Sequence, residues 1–145
     1  MKTFSFLFTV CLFLFVSSCK KLDSTEDRIA GEWKIKSVKE QNNGIGLRAI
    51  TPTLGYKKLV FKANHTLELH LNNLSVLNGT WEFHYEEYSY TDPQTGNPVY
   101  ASRPVIDFGW SQEVKYMDRN FLDLVNRKKL KFSDMENRVY FECEK

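Results

Sequence analysis

The chain has 145 residues and a formal net charge of +2, with 26% charged and 14% aromatic side chains. So even a balance argues against nucleic acid, which calls for a strongly basic face. The length suits one domain with one proper core.

Met1-Lys2-Thr3 is followed by an apolar run from Phe4 to Val16, then Ser17-Ser18-Cys19 and Lys20-Lys21. A basic start, a short apolar block and small residues have the shape of a secretory signal. The run is short of the roughly 20 apolar residues that span a bilayer. Small residues directly before a cysteine resemble a bacterial lipobox. That resemblance implies cleavage before Cys19 and a diacylglycerol on its thiol, so that the membrane is a partner through acylated Cys19. The alternatives are an ordinary signal peptide with an incidental Cys19, or an uncleaved anchor. Residues 1–18 are read as a lipoprotein signal peptide, 19–28 as a lipid-anchored tether, and 29–145 as the folded domain. The tether is polar, KKLDSTEDR, and suits a flexible spacer. Lysine then acids resembles lipoproteins of Bacteroidetes-type bacteria, which implies the outer membrane with the facing side open.

Cys11 falls in the signal and Cys19 takes lipid, which leaves Cys143 and rules out an intramolecular disulfide. Cys143 shares a strand face with Val139 and Phe141, which predicts a buried, inert thiol rather than one in an intermolecular disulfide.

Asp27 to Ala30 reads as a short helical turn closing one end. From Gly31 to Lys39, apolar and charged residues alternate, so Trp33 and Ile35 face inward on a first strand. Glu40 to Gly55, rich in glycine, reads as a long loop. Lys58–Lys62 and Thr66–Leu71 form a hairpin around Asn64-His65, with Leu67, Leu69 and Leu71 inward. Leu74–Leu77 leads through Asn78-Gly79 into a second tryptophan strand. There Trp81, Phe83 and Tyr85 keep one parity and Tyr88 and Tyr90 take the other, which predicts a bulge near Glu86-Glu87. Asp92 to Pro98 is a turn. Further strands are expected at Val99–Ala101, Val105–Trp110, Glu113–Met117, Phe121–Val125, Lys129–Phe132 and Arg138–Cys143. Eight to ten short strands with hairpin-sized connections predict an all-β antiparallel barrel or sandwich.

Gly31-x-Trp33, the mid-domain Gly79-Thr80-Trp81 and the closing meander through Phe121, Phe132 and Phe141 resemble the lipocalin-like domains of bacterial lipoproteins. The resemblance implies an antiparallel up-and-down barrel. It also implies an arginine stacked on the first tryptophan, for which Arg127 and Arg138 are the candidates. No Thr-Asp-Tyr stands where true lipocalins carry their second motif, so the architecture is implied and a ligand site is not.

The sequence shows no nucleophile elbow, phosphate-cradling glycine loop or Cys-x-x-Cys, and we expect no enzyme, cofactor or metal. His70 and His84, near Glu68, Glu82 and Glu86, read as a solvated charged face. Asp107 faces outward and is unpaired with Asp123 as acid and base. The aromatic excess leaves two readings open. A barrel cavity would bind a small apolar or amphipathic ligand through Tyr85, Phe108 and Tyr116. A filled barrel would serve as a protein-interaction module or inhibitor with an envelope protein partner.

Overall fold

The computed structural model describes residues 24–42 and 46–145. The expected signal peptide, Cys19 and the first half of the tether lie outside the described residues. The strands are β1 (Gly31–Gln41), β2 (Leu47–Ala49), β3 (Tyr56–Phe61), β4 (Thr66–Leu71), β5 (Val76–Thr91), β6 (Pro98–Trp110), β7 (Arg119–Val125), β8 (Lys129–Asp134) and β9 (Val139–Glu144). Among the described residues, two short helices are α1 (Thr25–Ile29) and α2 (Thr51–Leu54). Strands β1 and β3 to β9 pair in sequence order, and β9 returns to β1. The result is a closed, eight-stranded, antiparallel up-and-down barrel, with β2 added beside the end of β1. Closure leaves the barrel wall with no free edge.

One end is sealed by α1. Ser24 and Asp27 form a reciprocal capping box that starts the helix. Ile29 is fully buried, and its carbonyl accepts the Trp33 indole N–H at 2.6 Å. The Lys145 ammonium lies over Trp33, 4.6 Å from the ring centroid. Its Nζ also donates to the carbonyls of Arg28 and Ala30. Lys145 thus ties α1 to the barrel, a role the sequence reading did not assign to it.

Alternation along β1 is interrupted. Its register against β9 shifts between Ile35 and Ser37, so the buried residues are Trp33, Ile35 and Val38. In the expected loop 40–55, β2 and α2 form because tertiary bonds override the breakers. Thr51 Oγ1 accepts from Val38 N at 2.7 Å, and Ile50 N donates to the Val38 carbonyl at 2.8 Å. Gly55 ends α2 at φ +66, where a Cβ is unfavourable.

Phe61, Phe108 and Phe132 form a chain of ring contacts across the barrel, and Phe132 stacks on Phe141 at 4.7 Å. Trp81 meets Phe61 edge-on at 5.5 Å. Gly79 is required here. A Cβ on it would lie 2.7 Å from the Gly109 carbonyl oxygen and 2.9 Å from the Trp110 ring. Cys143 is fully buried in the same core, and burial pushes its thiol up to about 12.

The segment expected as a strand at Glu113–Met117 is instead a folded turn, with Tyr116 at φ +64. It closes the other end of the barrel. Val114 and Met117 are buried, and the Trp110 indole donates to the Met117 carbonyl at 2.5 Å. Tyr56 bolts this segment down, its hydroxyl accepting from Lys115 N at 3.1 Å and donating to Lys115 O at 3.3 Å.

Candidate functional site

Strands β5 and β6 are far longer than their neighbours. β4 pairs with β5 only as far as Thr80, and β7 pairs with β6 only over Val105–Asp107. Yet β5 and β6 pair without interruption from Gly79↔Trp110 to Thr91↔Pro98. From Glu86 to Arg103 they form a two-stranded arm outside the eight-stranded wall. No bulge interrupts it, contrary to the expectation at Glu86-Glu87. Tyr88 and Tyr90 simply occupy the opposite face from Trp81 and Phe83. The expected strands Val99–Ala101 and Val105–Trp110 are one strand.

The tip is firmly closed. Asp92 N donates to the Asn97 carbonyl at 2.9 Å, and Gly96 takes φ +71. The Asp92 carboxylate accepts from Gln94 N and the Thr95 hydroxyl. These bonds, the Gln94 amide first, hold its carboxyl below the usual range.

The base is latched to β7. Arg103 donates to Glu86 Oε2 through Nε and Nη2, at 2.9 and 2.8 Å, and Arg119 reaches Glu86 Oε1 at 2.9 Å. The Arg103 guanidinium lies 4.0 Å from the Phe121 centroid and 5.2 Å from that of Tyr88. Asp107 joins the network at 3.8 Å from Arg119 and 3.6 Å from His84. The Arg103 hydrogen bonds, with Arg119 adding charge, hold the Glu86 carboxyl below its ordinary range. An open cleft of about 480 Å³ runs past this latch to Asp118, Asp134 and Asn137.

The arm carries much of the exposed aromatic surface. Tyr100 is 82% exposed, Tyr85 59%, Tyr90 50% and Tyr88 40%. Tyr88 and Tyr90 stack with centroids 6.2 Å apart. A cleft of about 510 Å³ lies along Glu87, Tyr88, Ser89, Tyr100, Ala101 and Ser102.

The three residues expected to share one ligand occupy three environments. Phe108 is in the packed core, and Tyr116 lies in the segment that closes the barrel. Tyr85, expected inward, stands at the arm's root against Phe83, at 5.3 Å. The wall ends there, so alternation continues but nothing covers it. His70 lies opposite Val76 and contacts Glu68, far along the strand pair from His84. Among the described residues, no three His, Cys, Asp or Glu side chains group to hold a metal. The latch residues Glu86, Arg103 and Arg119 were missed, although an isolated Arg opposite a Glu in paired strands is a readable signal.

No family model matches the chain, and no curated protein matches it. Among solved structures it is similar to a duf4847 family protein from Bacteroides vulgatus ATCC 8482, at 11% identity and a TM-score of 0.49, over 79% of this chain and 92% of that one.

Proposed function

We propose that this is a lipid-anchored outer-membrane protein whose lipocalin-like barrel is a scaffold, and whose β5–β6 arm docks an envelope protein partner. The observation that carries the reading is the contrast between barrel and arm. The barrel interior is taken up by Phe61, Phe108, Phe132 and Phe141, and its mouth by Val114 and Met117. The arm instead displays four tyrosines on a strand pair locked at both tip and base. Tyrosine gives large contact area for little lost side-chain freedom, and rigid presentation lowers the entropic cost of association. These features favour protein docking over an internal apolar ligand held by Tyr85, Phe108 and Tyr116.

The test is site-specific photo-crosslinking in the producing cells. A benzophenone side chain replacing Tyr100 should give a discrete adduct band, and one replacing Lys57 on the barrel wall should not. Equal labelling at both positions, or none at Tyr100, refutes docking by the arm. Fatty-acid labelling of wild type and of Cys19→Ala checks the anchor, which requires that label be lost in the variant.

A further inference from the structure

The two long edges of the arm are not equivalent. In an antiparallel pair, successive residues point their N–H and C=O alternately toward one neighbour and away to the other side. The register of β5 on β6 runs unbroken, so one observation fixes the phase for each strand. Trp81 N donates to the His65 carbonyl, away from β6. Phe108 N donates to the Asp118 carbonyl, away from β5. Asp92 N and Ser111 N both bond inward across the pair, to Asn97 and Asn78, which agrees with that phase. Odd-numbered residues of β5 and even-numbered residues of β6 therefore present their backbone to the outside.

On β6 the outward positions along the arm are Pro98, Tyr100, Ser102 and Pro104. Both prolines fall in the outward phase. They remove no bond from the β5–β6 ladder, and they strip two donors from the outer edge. This is how sheets blunt an edge against pairing. Pro104 stands just before Val105, where the β7 ladder starts. On β5 the outward positions are Tyr85, Glu87, Ser89 and Thr91. None is proline, and all keep their N–H. Among the described residues, no backbone bond reaches them from outside the arm. One edge is closed and the other left open.

We infer that the β5 edge over Tyr85–Thr91 receives an extended segment of the partner as an added strand, and that this segment is basic. The inference rests on the docking role proposed above and specifies how it works. Charge selects the occupant. Strand β5 carries Glu82, Glu86 and Glu87 and no lysine or arginine. Glu86 is neutralised by Arg103 and Arg119, which leaves Glu87 exposed beside the open edge. A lysine or arginine opposite Glu87 gains a cross-strand pair, and apolar residues opposite Tyr88 and Tyr90 gain contact area. A second copy of this chain would bring the same acids to the seam with no free cation from its own arm, since Arg103 is committed to Glu86.

The probe is an acetylated, amidated octapeptide alternating lysine and valine, titrated into the isotopically labelled protein and followed by amide NMR. Shifts should concentrate at Tyr85, Glu87, Ser89 and Thr91. The glutamate–valine counterpart should not bind, nor should a lysine–valine peptide N-methylated at alternate amides. Glu87→Pro removes one outward N–H and no ladder bond, so the barrel spectrum should persist while affinity falls about tenfold or more. Glu87→Lys should weaken binding of the lysine peptide and admit the glutamate peptide. Shifts confined to the tyrosine faces, unchanged affinity in Glu87→Pro, or dimerisation of the protein through this edge would each overturn the inference. Docking itself is judged separately: an adduct at Tyr100 that persists in Glu87→Pro cells keeps the arm as the docking element and removes the edge.

Discussion

Replacing Trp33 by alanine should cost about as much as any single change in the domain. The side chain is fully buried, and large-to-small changes of this kind cost about 3–5 kcal/mol in transfer and cavity terms. Its indole N–H is the partner of the Ile29 carbonyl, and an orphaned buried carbonyl adds roughly 1–3 kcal/mol unless water reaches it. Lys145 would lose its ring contact, worth roughly 0.5–1 kcal/mol at an exposed site. These terms overlap, because losing Trp33 also loosens α1 and lets water in. The expected total is about 5 kcal/mol, comparable with the whole stability of a marginal domain. Trp33→Phe separates the terms, since it keeps most of the ring and removes the N–H, for an expected loss of about 1–3 kcal/mol. Urea unfolding would read both as lower midpoints with unchanged slopes. A loss below about 1 kcal/mol for Trp33→Ala would put the indole outside the core. A Trp33→Phe protein as stable as wild type would mean that the bond to Ile29 contributes nothing.

Cys143, with its thiol raised to about 12, should resist a thiol reagent at pH 8 in the folded protein and react at once in denaturant; rapid native labelling would contradict its place beside Phe141. The latch should depend on acid in one direction only. Glu86 has a folded-state pKa below its unfolded value, so its contribution is present above the ordinary carboxylate range and is lost as pH falls through the lowered value. Amide shifts of Arg103 and Phe121 should hold steady at neutral pH and move together only as pH falls below the ordinary glutamate range; movement already at neutral pH would contradict the latch's dependence on the Glu86 carboxylate. Arg103→Ala should broaden the arm's amide signals while leaving the barrel's sharp, because the latch to β7 is removed and the core is not touched.

Much of the barrel was legible because alternation is a direct record of burial. Leu67 and Leu69, Trp33 and Ile35, and Val139, Phe141 and Cys143 all sit inside as their parity requires. The failures share a cause. Parity gives the face of a strand but not whether the neighbouring wall extends to cover it, so Tyr85 read as inward and stands exposed. The change from Phe83 to Tyr88 looked like a bulge because apolar residues were assumed to be buried, whereas the strand had left the barrel. Glu113–Met117 has strand-like residues, but Tyr56 and Trp110 fold it over the barrel end through bonds that only the tertiary structure supplies. The place of Lys145 over Trp33 was not legible because it depends on the end of β9 returning to α1, far away in sequence. The prolines of β6 were visible throughout. Their meaning appears only once the register shows that both face away from β5.

Native-state amide hydrogen exchange along β5 tests the account most directly. If the arm is a two-stranded ribbon with an open β5 edge, exchange should alternate over residues 85–91. Glu86, Tyr88 and Tyr90, which bond across to β6, should be protected, and Tyr85, Glu87, Ser89 and Thr91 should exchange at nearly the rate of an unstructured chain. Uniform protection across all seven would mean that the edge is already covered, and would contradict an arm that stands outside the barrel wall with its β5 edge open to an added strand.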